Sequence, residues 1–220
     1  GPEGRLADDS NALLRAAKLA QEDLFLLVDG RLVSAACCFS FAGAGKRARG
    51  RESIDELHER VGGFDSDLAG PVKRIFSNLD EPVWRSNWSV SLTDSLVPNA
   101  ARDFLNPKKR AETFLEQSNE TPENLLAKFR QKDGVENSCF CKMEFQTMTK
   151  LKATQGAVFF TVHTYVESFR DLSPQAAGYL ARNVQHAANH KVRVYKNLED
   201  RDVADHIINY LHEKQQRQQA

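Results

Sequence analysis

Five short stretches carry residues whose types and spacing can do chemistry. Glu144 and Gln146 stand two apart in "KMEFQTM", so on a strand they share one face. His163 and Tyr165 do the same in "FFTVHTYV". Asn87 lies between two tryptophans in "VWRSNWSV", with Arg85 two residues before it and Trp88 directly after. His58 sits at helical spacing from Ile54 in "SIDELHERVGG", just ahead of the pair Gly62-Gly63. His186 and His190 are four apart, a spacing that lets two imidazoles on one helix turn share a metal, although no carboxylate partner is evident. A carboxylate, an amide, a phenol and imidazoles can move protons or orient a ligand. A neutral imidazole can also hold iron axially without any cysteine nearby.

Several chemistries find no support. No GxSxG marks a nucleophile elbow, and no HExxH or HxE…PCxxC marks a zinc centre. "AGAGKRARG", residues 42–50, has neither the Walker A nor the dinucleotide spacing of glycines and reads as a solvated loop. The four cysteines come as Cys37-Cys38 and Cys139-x-Cys141. That is not a zinc spacing, so they read as reduced, buried thiols of an intracellular protein. Thirty basic residues balance thirty acidic ones, which gives no reason to expect nucleic acid or an anionic membrane as partner. No apolar run approaches the roughly 20 residues that cross a bilayer, and no signal peptide is visible, so the expected location is the cytoplasm. Gly1-Pro2 reads as a protease-cleavage remnant and carries no weight.

The elements that must position these residues follow from periodicity. Residues 10–23 predict a helix capped at Ser10, with Leu13, Leu14, Ala17 and Ala20 at helical spacing. Leu24–Val28 and Arg31–Phe41 flank Asp29-Gly30, a dipeptide suited to a type I′ hairpin. Helices are expected over 51–61, ending at Gly62-Gly63, and over 66–79 with Pro71 opening the regular part. A strand follows at 82–90, with Val83, Arg85, Asn87 and Ser89 on one face and Trp84, Ser86 and Trp88 on the other. Residues 93–137 are polar, hold one helical stretch at about 111–131 and the basic triplet 108–110, and read as an insertion. Strands at 138–151 and 156–169, joined by a short link, form an antiparallel pair. A helix capped by Ser173 runs to about 188, and a tail helix covers 200–216 of a C-terminal segment 200–220. The sum is one α+β domain over residues 3–220, built on a single antiparallel sheet of about five strands with flanking helices. Two readings of the strand polar groups stay open: they face water, or they line a pocket among aromatics.

"AQEDLFLLV", "LHERVGGF", "PVWRSNWSV" and "FCKMEFQTMTKLKATQGAVFFTVHTYVESFRDLS" occur in the order seen in one family, over about residues 20–195. The chain resembles the haem-dependent oxidative N-demethylase alpha-subunit-like proteins, whose corresponding stretches look like LHxPVPGY, RxNWS, ERQT and RTY. The resemblance implies a PAS-like fold cupping haem. It implies an oxygen-dependent oxidation of an amine or other small organic molecule, a monooxygenase or oxidase chemistry at iron. It also implies a separate electron donor, redox partner subunits carrying flavin and an iron–sulfur cluster. Carried over by position, His58 is the axial iron ligand. Arg85, Asn87 and Trp88 fall in the cofactor-binding stretch. Glu144 and Gln146 orient substrate or oxygen, and Tyr165 donates a hydrogen bond in the pocket.

The chain departs from those forms at Phe145 and His163, where arginines stand, and at Gly62 and Phe64, for proline and tyrosine. It is expected to be a diverged, N-terminally shortened member. Losing two arginines removes two cations that could grip haem propionates, leaving Arg85 and Lys142 as replacements. Two alternatives follow. One is a haem-free PAS-like module for another ligand or a protein partner. The other is an enzyme without haem that uses His163 and Glu144 as an acid–base pair.

Overall fold

The computed structural model describes residues 12–36, 51–58, 69–91, 127, 129–131, 133–154, 156–190, 193, 196, 198 and 200–217. Outside them lie the Ser10 cap, Cys37 and Cys38, the 42–50 loop, Gly62-Gly63 with Phe64, most of the polar insertion with its basic triplet, and the last three residues. The fold is α+β, with one antiparallel sheet in the order β2-β1-β5-β4-β3 and six helices among the described residues. The elements are α1 (Ala12–Ala17), β1 (Asp23–Val28), β2 (Arg31–Ala36), α2 (Ile54–His58), α3 (Ala69–Ser77) and β3 (Val83–Ser91). After them come α4 (Gly134–Ser138), β4 (Phe140–Leu151), β5 (Ala157–Ser168), α5 (Pro174–Asn189) and α6 (Arg201–Gln216). By packing, the chain divides into two compact units: Gly1–Asn87 with Glu144–Tyr165, and Trp88–Met143 with Val166–Ala220.

In the first unit, Val28 pairs with Arg31, so the β1–β2 hairpin has the expected two-residue loop. Both loop residues take positive φ, 50° at Asp29 and 70° at Gly30, which is the type I′ backbone. β1 then pairs antiparallel with β5, Asp23 opposite Val162 through Leu27 opposite Val158. The pleat sends Phe25, Leu27, Val158, Val162 and Met148 into a core closed by Leu32, Ile54, Ala69 and Leu79. Ile54 and Leu57 of α2, and Val72, Ile75 and Phe76 of α3, reach this core at helical spacing. Where α2 begins is set by a capping box. Ser53 Oγ accepts from the Glu56 amide at 3.3 Å, and the Ser53 amide donates to Glu56 Oε2 at 2.6 Å. The segment ahead of it is pinned to β2 by Leu32 N–H to the Glu52 carbonyl (2.8 Å) and Arg51 N–H to the Leu32 carbonyl (2.6 Å).

The second unit packs small residues of α5 (Ala177, Ala181, Ala187, Ala188) and branched ones of α6 (Val203, Ile207, Leu211) around Phe129, Phe169 and Cys139. Ser173 Oγ caps α5 by accepting from the Ala176 amide at 3.1 Å, with Pro174 at the first turn. Asp200 caps α6 through the Val203 amide at 3.3 Å.

Three expectations need correction. The first helix ends at Ala17 rather than 23: Asp23 already belongs to β1, paired with Val162, and Leu19 is left 83% exposed. The strand expected from 138 begins at Phe140, after a one-turn helix, α4, that periodicity cannot register in five residues. The helix expected over 66–79 ends at Ser77, and Leu79 beyond it turns into the core at 1% exposure.

Candidate functional site

His58 ends α2, four residues after Ile54, and its Nδ1 lies 2.7 Å from the Ile54 carbonyl oxygen. A carbonyl only accepts, so Nδ1 carries the proton and the neutral ring keeps its lone pair on Nε2. Burial pushes the imidazole pKa below its usual value of 6.5. The Ile54 hydrogen bond opposes that shift, the Arg85 guanidinium adds to it, and Asp55 works against it. A neutral imidazole fixed by a backbone carbonyl is the form in which histidine binds a metal.

Beside it, β3 and β4 contribute four polar groups from one face. Arg85 Nε donates to Gln146 Oε1 at 2.6 Å. Gln146 Nε2 donates to Glu144 Oε2 at 2.9 Å, and Asn87 Nδ2 donates to the same oxygen at 3.3 Å. Gln146 is 6% exposed, so its amide is committed in both directions and sets the spacing between cation and carboxylate. Partial desolvation lowers the Arg85 pKa and Glu144 raises it; guanidinium stays charged in any case.

His163 and Tyr165 lie elsewhere. Thr147 Oγ1 on β4 is 2.7 Å from Thr161 Oγ1 on β5, so these two threonines share a face. Two residues along each strand, Phe145 and His163 share it too, and Glu144 and Gln146 take the other. On this second face Trp84 stacks on Phe145 with ring centroids 5.6 Å apart, and His163 lies 4.5 Å from the Tyr165 ring. His163 Nδ1 pairs with Glu22 Oε1 at 3.1 Å, and that hydrogen bond holds the Glu22 carboxyl below its ordinary value. An acid–base pair of His163 with Glu144, and a Tyr165 aimed into the Glu144 pocket, are therefore corrected: the pleat separates them, and the partner of His163 is Glu22. Trp88 follows Asn87 on β3. It belongs to the second unit, where the Lys196 ammonium sits 4.6 Å from its ring centroid and donates to its carbonyl.

A cleft of about 490 Å³ opens between α3 and β3 in the first unit, lined by Pro71, Arg74, Ile75, Val83, Arg85 and Met148. Among the described residues, no group of three or more histidines, cysteines or carboxylates is placed to hold a metal ion. His186 and His190 do meet, with rings stacked at 4.0 Å, although His190 is the extended C-cap residue that follows α5 rather than part of the helix. Cys139 and Cys141 are buried free thiols; burial raises both pKa values, that of Cys141 to about 11 with help from Glu167. They are inert as nucleophiles. No described helix is long and apolar enough to cross a membrane.

Sequence reading missed three contributors. The capping box that places His58 was present as Ser53-x-x-Glu56. Glu22, the partner of His163, lies 141 residues away in sequence, and no local pattern joins them. Arg74 reads as one more cation on a solvated helix.

Among curated proteins, none matches the chain. A family description does, over residues 3–204, and it covers His58, the Arg85–Gln146–Glu144–Asn87 network and the cleft alike. The chain belongs to the family described as haem-dependent oxidative N-demethylase, alpha subunit-like.

Proposed function

We propose that the chain binds haem through His58 and takes part in the oxidation of an amine or another small organic molecule, with electrons from a separate donor protein. The observation that carries this reading is the state of His58: half-buried, neutral, and with its proton on the nitrogen that faces a backbone carbonyl. Those features suit His58 to the residue that would hold a haem iron, for which a single neutral imidazole would serve without a cluster of donors. The five-stranded antiparallel sheet, with α2 and α3 packed on the face of the Glu144 network, supports the PAS-like arrangement implied by family membership.

Haem, when bound, would supply the redox chemistry that an N-methyl oxidation requires. The chain's own groups would do the rest. Glu144 Oε2, held by two amide donors, can accept a proton or anchor a polar substrate group. Gln146 and Asn87 fix where that carboxylate oxygen sits, and Arg85 offers a charged donor beside it.

Reconstitution with haem followed by absorption spectroscopy tests the reading. A Soret band that disappears or shifts in His58→Ala, with the fold intact by circular dichroism, is the expected result. A well-folded parent that takes up no haem would sink it. That outcome would favour the second reading, a haem-free binding module, which the aromatic pair Trp84–Phe145 supports because it stands where the family pattern has an arginine.

A further inference from the structure

We infer that the cleft between α3 and β3 is a binding site for an amphipathic carboxylate, a ligand with an apolar body and one or two carboxylate groups. It is broadly open to solvent and offers about 490 Å³, room for a small molecule lying against its walls. Pro71, Ile75, Val83 and Met148 give it apolar walls, and two guanidinium groups enter it, Arg74 from the helix and Arg85 from the strand. Among the described residues Arg74 is in no ion pair, so nothing there neutralises it. Arg85 spends its Nε–H on the buried Gln146, which fixes the plane of the fork while its two terminal nitrogens remain for a ligand. Planar forks of this kind pair with carboxylates at two points.

The charge also discriminates. A small methylamine is a cation near neutral pH; Glu144 offsets part of the Arg85 charge, but the Arg74 guanidinium would still repel it. If the proposed N-demethylation holds, the substrate lodged here carries a carboxylate as well as its amine. The propionate edge of a porphyrin offers the same chemistry, and the test separates the two sources. The inference does not depend on iron.

The test uses four probes on the whole chain by fluorescence and calorimetry: metal-free protoporphyrin IX, its dimethyl ester, 3-phenylpropionate and 3-phenylpropan-1-amine. At least one acid should bind, and its uncharged or cationic counterpart should bind at least tenfold more weakly, as expected for loss of charge-assisted hydrogen bonds. Arg74→Gln, an exposed change on a helix surface, should weaken the acid at least tenfold, and Arg74→Lys should fall between. Binding of the porphyrin diacid alone assigns the cleft to the propionate edge. Binding of 3-phenylpropionate alone assigns it to a free substrate, and binding of both supports the site for either. Ester or amine binding as tight as the acids, an unchanged Arg74→Gln variant, or no acid bound by the parent would each overturn the inference. The probes carry no iron, so a failed haem reading and a failed cleft register separately.

Discussion

The two faces of the sheet in the first unit differ in kind. On the face packed by α2 and α3, Arg85, Gln146, Glu144 and Asn87 form one connected set of hydrogen bonds next to a neutral His58. On the other face Trp84, Phe145 and Tyr165 are 70%, 39% and 56% exposed, and the polar pairings there include the half-buried His163 with Glu22 and Thr147 with Thr161. Both positions where the chain departs from the family's arginines, 145 and 163, fall on this second face. The residues that agree with the RxNWS and ERQT stretches at 85, 87, 144 and 146 fall on the first. Arg85 lies on the opposite face of the sheet from positions 145 and 163.

The comparison breaks most visibly at His58. His58→Ala should abolish haem uptake or shift the Soret band, while unfolding midpoints move little, since the imidazole is only half-buried. A variant with the parental spectrum would remove the first face from iron binding. Next in size, Glu144→Gln should lower turnover about 10²-fold or more if Oε2 takes a proton, with haem retained. Parental turnover would reduce Glu144 to a structural partner of Asn87 and Gln146. Gln146→Leu deletes both links of the network at a buried position. It should cost about 0.5–1.5 kcal/mol in chemical denaturation, the usual net worth of a hydrogen bond, because its partners Arg85 and Glu144 keep access to water. A loss near zero would mean that water replaces the amide and that the network is not preorganised.

Much of this was legible in sequence, and the limit has a physical cause. Alternation within each strand sorted Glu144 and Gln146 from Phe145, and His163 and Tyr165 from Val162. It could not say which face of one strand matches which face of the next. That depends on register, and a one-residue slip swaps every side chain to the other side. The Thr147–Thr161 contact settles it, and nothing local in "TMTKLKATQGAVFFT" announces that pair. The Asp29-Gly30 hairpin was legible because a two-residue turn dictates its own register. The first helix was misjudged at its end because an alanine-rich helical pattern runs straight into an apolar strand, and only the pairing with β5 decides the boundary.

Acid sensitivity should sharpen the same contrast. The folded-state pKa of His58 is depressed by burial, so the unfolded chain binds its proton more readily below 6.5. Stability contributed by the neutral ring is complete above pH 6.5 and is lost as pH falls through the lower folded-state value. Glu22 is depressed as well, by the His163 hydrogen bond, and its contribution is full above 4.5 and fades below it. Both side chains of that pair are partly exposed, which keeps the term small. Denaturation midpoints should therefore fall in two steps, the first flattened by His58→Gln and the second by His163→Gln. A first step that persists in His58→Gln would show that another group titrates there.

The smallest expected effect is the most discriminating. Phe145→Arg with His163→Arg restores the family's two cations on the second face. Neither position is buried, Phe145 at 39% exposure and the His163 side chain at 23%, so the fold should tolerate both changes within about 1 kcal/mol. The double variant loses the Trp84–Phe145 stack and the Nδ1 contact to Glu22, although an arginine at 163 can still reach that carboxylate. If haem is held by His58 from the packed face, its affinity should stay within about twofold of the parent, because the pleat keeps both new guanidiniums on the opposite side of the sheet. A tenfold gain in haem affinity would mean that the cofactor reaches the second face, and His58 would then have to surrender its place as the ligand.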